Sequence, residues 1–203
     1  MKTALRSLWT AANVVRSVPA ILAHKFSDSK DTIDRDITRW AELVLHEAAS
    51  GPDWWCLHRL LIAFPEFRNL FYYRLRGSNP ILGRLIQPLY PRLDSLFLNA
   101  EKIGAGLVIF HGFSTIVYAK SIGEDCTVAQ QVTIGVTDRG CPTLGDNVWV
   151  TAGAVVIGGI HVGNDSIIGA NATVTKNVPN GCVVVGNPAF IVRRNGVKTR
   201  EDL

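Results

Sequence analysis

The chain is short of charge, short of methionine and short of any long apolar run. Charged residues make up 19% of 203 and balance to a net charge of +4, too mild an excess to argue for nucleic acid. Four Cys at irregular positions give neither a paired framework nor a zinc-ligand spacing. A disulfide-stapled secreted scaffold is therefore excluded, and a reducing, cytoplasmic setting is the expectation. The stretch from Leu5 to Phe26 raises the membrane question, but Arg16 and Pro19 interrupt it. No uninterrupted run in it approaches the length needed to span a bilayer, and it lacks a signal-peptide core with a cleavage site. Such a basic, partly apolar segment suits a helix packed on the rest of the protein or a peripheral contact with a membrane surface. The packed helix is the simpler reading. With 47% hydrophobic residues the chain can bury a sizeable core in one or two units, and 18 Gly suit strands and corners better than a bundle.

What is present is a period of six. Aliphatic residues recur at Ile122, Val128 and Ile134, then at Leu144, Val150, Val156, Val162, Ile168 and Val174, and the pair Val185 and Ile191 resumes the spacing. Six fits neither a helix face nor an alternating strand; it fits a solenoid of short flat strands coiled around a triangular core. Gly follows the repeat residue at Gly123, Gly135, Gly145, Gly163, Gly169 and Gly186, where free backbone angles suit a corner. A second, thinner row is expected at Cys126, Val132, Val148, Ala154, Ser166 and Ala172.

Upstream the pattern is helical. Asp31 or Thr32 can cap a helix with the apolar face Ile33, Ile37, Trp40 or Ala41, Val44 and Ala48, ended by Gly51-Pro52. A second helix carries Trp54, Leu57, Leu60, Leu61 and Phe64, a third runs from Phe67 to Leu75, and Pro80 to Leu98 reads as helical pieces. The expected division is a helical region over 1–98, a β solenoid over 99–194 and a tail over 195–203.

Two irregularities mark where a site can be built, because a perfect coil offers only a flat wall. After Ile103 and Ile109 the next aliphatic position is Ile116, one residue late, and the slip brackets His111-Gly112-Phe113-Ser114. His111 should then lie on the outer surface near a corner. The interval from Ile134 to Leu144 is four residues too long, so Val136 to Thr143 must leave the coil as a loop.

Residues from about 60 to 194 resemble the hexapeptide-repeat acyltransferases, in the serine acetyltransferase-like branch. The resemblance rests on Phe64-Pro65-Glu66-Phe67-Arg68, Lys102-Ile103-Gly104-Ala105-Gly106, the His111-Gly112 turn and Gln130-Gln131-Val132-Thr133-Ile134-Gly135. It continues through Thr143-Leu144-Gly145-Asp146-Asn147-Val148, Ala152-Gly153-Ala154 and Val185-Gly186-Asn187-Pro188-Ala189. It implies a left-handed parallel β-helix, a homotrimer or a dimer of trimers, acetyl-CoA in a groove between subunits, and direct transfer without a metal. His111 matches the family's catalytic base, a role that suits an imidazole whose ordinary pKa lies near working pH. Gln130 matches a Gln common there, as polar support of the site or as a cap on the ladder. For the donor the resemblance implies Thr137 in the loop and the backbone at Ala152, Gly153, Gly169 and Ala170. Lys176, Arg193 and Arg194 stand where the family places phosphate-binding bases, a solvated charge run being the other reading.

The departures bear on the acceptor. Serine acetyltransferases place Asp immediately before the catalytic His, and here Phe110 stands there; their acidic residue one coil earlier aligns near Leu96, with Asp94 as the available substitute. Their Arg-His pair before a loop Pro becomes Gly140-Cys141 before Pro142. A desolvated carboxylate and ammonium need charged partners, so an uncharged hydroxyl fits better, as in the polysaccharide and capsule O-acetyltransferases. Ser114, Gln130 and the loop with Cys141 could offer it hydrogen bonds. Cys141 as a covalent nucleophile is disfavoured, since no activating cue adjoins it. A metalloenzyme is disfavoured too, because the solenoid holds only His111 and His161. A non-catalytic scaffold and an acyl-carrier-dependent sugar N-acyltransferase remain as alternatives.

Overall fold

The computed structural model describes residues 13–47, 51, 53–78 and 80–203, and the chain divides into two compact units, Met1–Leu93 and Asp94–Leu203. The first unit holds α1 (Val14–Lys25), α2 (Lys30–Trp40) with a π-helical turn at Ala41–Leu45, α3 (Trp54–Ala63), α4 (Pro65–Ser78) and α5 (Pro80–Ile86). Ile33, Ile37 and Trp40 are buried as their spacing predicts. Trp40 meets Phe64 and Phe67 edge-on, with ring centroids 5.9 and 5.3 Å apart.

The ends of α2 differ from expectation. Its N-cap is Ser29, not Asp31 or Thr32, and the helical path stops at His46, whose left-handed φ of 57° turns the chain before Gly51-Pro52 is reached. Ala48 lies outside the described residues, as does the part of the Leu5 to Phe26 segment before residue 13. Asp53 caps α3 by accepting the Cys56 N–H. Arg68 closes the other end of α3, donating to the Leu61 and Ile62 carbonyls at 2.6 and 2.8 Å.

Two buried polar networks tie these helices. On the apolar face of α2, Asp36 accepts two hydrogen bonds from Arg74 of α4, at 2.8 and 3.1 Å, and both side chains are almost fully enclosed. Ser17 of α1 contacts His58 Nδ1 at 2.6 Å and the Tyr90 hydroxyl. The segment from 14 to 25 is thus a helix packed on its unit, burying Ser17, Ala20 and Ala23.

The second unit is a left-handed parallel β-helix of three sheets. Sheet A stacks β1 (Leu96–Leu98), β4 (Thr115–Val117), β7 (Thr133–Gly135), β10 (Val155–Ile157) and β13 (Thr173–Val174). Sheet B stacks β2 (Lys102–Ile103), β5 (Ser121–Ile122), β8 (Thr143–Leu144) and β11 (His161–Val162). Sheet C stacks β3 (Val108–Ile109), β6 (Thr127–Val128), β9 (Trp149–Val150) and β12 (Ile167–Ile168). It continues through β14 (Cys182–Val185) into antiparallel β15 (Phe190–Arg194) and β16 (Val197–Asp202). The repeat residues from Ile122 to Val174 are buried, and so is the whole second row from Cys126 to Ala172.

Three details of register correct the period. Val117, not Ile116, fills the core, with 0% exposure against 45%, because Val117 aligns with Leu98 and Ile134 in sheet A. Near the end Val184 points inward in place of Val185, while Ile191 is buried as expected. The solenoid begins at Leu96, ahead of residue 99, and residues 197–202 of the expected tail form a paired strand.

The corner glycines also have another cause. At the corner between sheets B and C, Asp146, Asn164 and Asn180 side-chain oxygens accept the N–H groups of Glu124, Asp146 and Asn164 at 2.8, 2.9 and 2.9 Å. A Cβ on Gly123 or Gly145 would meet those oxygens at 2.3 and 2.0 Å. Close approach, not backbone angle, excludes a side chain there, and the left-handed positions fall two residues later at Asp125, Asn147 and Asp165.

Candidate active site

The corner between sheets C and A is a column of stacked turns. The carbonyls of Ser95, Phe113, Gln130 and Ala152 accept the N–H groups of Thr115, Gln131, Gly153 and Asn171, at 3.0 to 3.1 Å. The His111 turn is one step of this column, and it holds two non-glycine residues in the left-handed region where the Gln131 and Asn171 steps hold one each. His111, Gly112 and Ser114 take φ of 61°, 23° and 52°, and the Phe113 N–H donates to the His111 carbonyl. Two non-glycine residues held in the left-handed region within four positions cost backbone energy that the surrounding coils must offset. The result is that His111, Phe113 and Ser114 stand exposed on the wall. Asp94 is exposed at the same corner one coil below, and half-buried Gln130 lies one coil above.

Ala152, Gly153, Gly169 and Ala170 lie on this same corner. Their glycines are explained by stacking, since a Cβ on Gly153 would meet Asn171 Oδ1 at 2.2 Å and one on Gly169 would meet Val185 Cγ1 at 2.7 Å. The 136–143 loop leaves from the other edge of sheet A, between β7 and β8. Thr137 and Gly140 exchange backbone hydrogen bonds at 3.0 Å, and Thr137 Oγ1 accepts the Arg139 N–H at 3.1 Å. Half-buried Cys141 ends this loop. Within one chain, sheet A therefore separates the loop from the His111 turn.

The loop walls an open groove of ≈ 520 Å³ with Ile157, Gly158, Lys176 and Asn177 on its other side. Thr137 and Lys176 are thereby brought together. Thr175 and Lys176 also line a second recess of ≈ 520 Å³, with Phe190 and Arg200 across it. The repeat does not point to Arg139, Asn177 or Arg200; the length of the loop could have drawn attention to Arg139, and the other two lie outside it. Arg194 is engaged elsewhere: Glu201 accepts from its Nη2 at 2.6 Å, which holds that carboxyl below its usual range and the guanidinium above its own. Arg193 is exposed on β15. Among the described residues, no cluster of His, Cys, Asp or Glu gathers to hold a metal.

The second unit is thus a parallel solenoid with an exposed histidine on a displaced turn at one corner and, at another, a groove opened by the long loop between β7 and β8. A model of the bacterial transferase hexapeptide family (six repeats) matches residues 141–176. A serine acetyltransferase of Helicobacter pylori is 33% identical over 171 residues, covering 79% of this chain and 98% of that protein. One of Synechococcus elongatus is 33% identical over 150 residues, covering 68% of this chain but 62% of its own length. A solved serine acetyltransferase in complex with CoA aligns at a TM-score of 0.61 and 26% identity, covering 90% of this chain and 74% of that one. The chain belongs to the hexapeptide-repeat transferases, an acyltransferase family in which these relatives are serine acetyltransferases. A closer likeness to polysaccharide O-acetyltransferases finds no support among them.

Proposed function

We propose that the chain is an acetyl-CoA-dependent O-acetyltransferase in which His111 is the general base. The exposed His111 turn carries this reading. The neutral imidazole takes the proton of the acceptor hydroxyl as its oxygen attacks the thioester carbonyl, and the imidazolium returns that proton as the CoA thiolate leaves. Phe110 cannot orient the ring, and Asp94, one coil below, is the carboxylate at the same corner. Lys176, Arg139 and Arg200 around the two recesses suit the phosphates of CoA, with Ile157 and Thr137 along its arm.

The same geometry supports a homotrimer. The outward face of sheet A aligns Phe97 and Ile116, both about half exposed, with Thr133, Val155 and Thr173. A neighbour covering that face would bring its loop beside this chain's His111. Sedimentation is expected to give a trimer or a dimer of trimers; a monomer with full activity would end this reading.

Relatives at a third identity support L-serine as the acceptor. A second reading, an uncharged hydroxyl such as a sugar's, is supported by Phe110 and by Gly140-Cys141 where charged residues would grip the amino acid. The expected outcome is O-acetylserine formation with a high KM for L-serine, because the aligned charged partners are gone. Sugar acetylation outrunning it under identical conditions would establish the second reading.

A further inference from the structure

Helix α1 turns its large apolar side chains away from its own unit. Val15, Val18, Leu22 and Phe26 follow steps of three, four and four, which place them on one narrow face. They are 81%, 46%, 46% and 73% exposed, while the small Ser17, Ala20 and Ala23 face inward. Helix α5, which packs against α1, leaves Ile81 and Leu85 mostly exposed as well.

Charge on these segments is mainly basic. Residues 1–30 hold Lys2, Arg6, Arg16, Lys25 and Lys30 against Asp28, and residues 67–93 hold Arg68, Arg74, Arg76, Arg84 and Arg92 with no Asp or Glu. Arg74 and Arg68 are committed within the fold. Lys25 is exposed with its ammonium 5.9 Å from the Phe26 ring centroid, so a cation and an apolar tip sit side by side. Arg76, Arg84 and Arg92 line a recess of ≈ 160 Å³ between α4 and α5, walled by Tyr72 and Pro80, and Ile81 and Leu85 are exposed on the same short helix as Arg84.

We propose that this apolar and basic face of α1 and α5 docks on the surface of an anionic lipid bilayer. Val15, Val18, Leu22, Phe26, Ile81 and Leu85 would enter the boundary between headgroups and acyl chains, and the arginine recess would take a lipid phosphate. A second copy of the chain fits the face less well, since a two-fold contact would bring two mainly basic faces together. No described helix is long and apolar enough to cross a membrane, so the contact is with the surface.

The test is co-sedimentation of the full chain with vesicles of phosphatidylcholine alone or mixed with phosphatidylglycerol, at low and high salt and with inorganic phosphate as competitor. The chain should pellet with the anionic vesicles only and be released by high salt. Leu22→Glu with Phe26→Glu, and separately Arg84→Glu, change exposed side chains, so folding by circular dichroism should hold while binding falls about tenfold or more. Failure to pellet with anionic vesicles overturns the proposal. So does equal binding by the apolar variant, or full displacement by low inorganic phosphate, which would mark a simple anion site. A variant that changes particle size in light scattering while wild-type binding is absent would mark a protein contact instead.

Discussion

Replacing His111 with Ala should lower acetyl transfer by roughly a hundredfold or more, the usual scale of a lost general base. Its side chain is exposed on the solenoid wall, so the fold has no packing to lose and circular dichroism should be unchanged. The substitution leaves Lys176, Arg139 and Arg200 around the recesses in place, so CoA affinity should also survive. The loss should appear in kcat, because the interaction forms only as the hydroxyl proton moves. Near-normal turnover in this variant would mean that another group takes the proton.

A second large effect is structural. Asp36→Ala should destabilise the helical unit by about 3–5 kcal/mol, because it removes the carboxylate that balances a guanidinium closed off from water. Arg74 is 4% exposed and makes both hydrogen bonds to that carboxylate. Urea titration followed by the helical circular dichroism signal reads the shift. Replacing both partners, Asp36→Leu with Arg74→Met, should recover much of the loss, since a paired buried charge often gains little over well-packed apolar groups. A single-variant loss under about 1 kcal/mol would show that solvent reaches the pair.

The solenoid was legible because each inward residue is set by its own coil: one period predicts Val128, Val150 and Ile168 in sheet C without knowledge of the rest. The first coil misled the period at Ile116 because the His111 turn takes up residues through left-handed backbone, and spacing cannot register φ. Asp36 was readable and passed over. It falls between Ile33 and Ile37 on the buried face of α2, and an acid on an apolar stripe implies a buried partner. Arg74 itself was not, since the two lie 38 residues apart and meet only through packing. The groove was half legible. The length of the loop announced a departure, but what stands opposite Thr137 depends on how later coils stack over it, and Asn177 and Arg200 carry no local mark.

The last strands of sheet C bear on the company this protein keeps in concentrated solution. A parallel solenoid stacks copies of itself, so an exposed terminal coil is a template for an unrelated coil to extend. Here β15 runs back against the final parallel strand, β14, and β16 closes the sheet antiparallel to β15. Outermost is β16, where Lys198, Arg200, Glu201 and Asp202 crowd charge of both signs onto the free edge. An incoming strand would have to desolvate those charges to pair there. On this sheet the fold that depends on endless repetition carries its own stop against fibre growth.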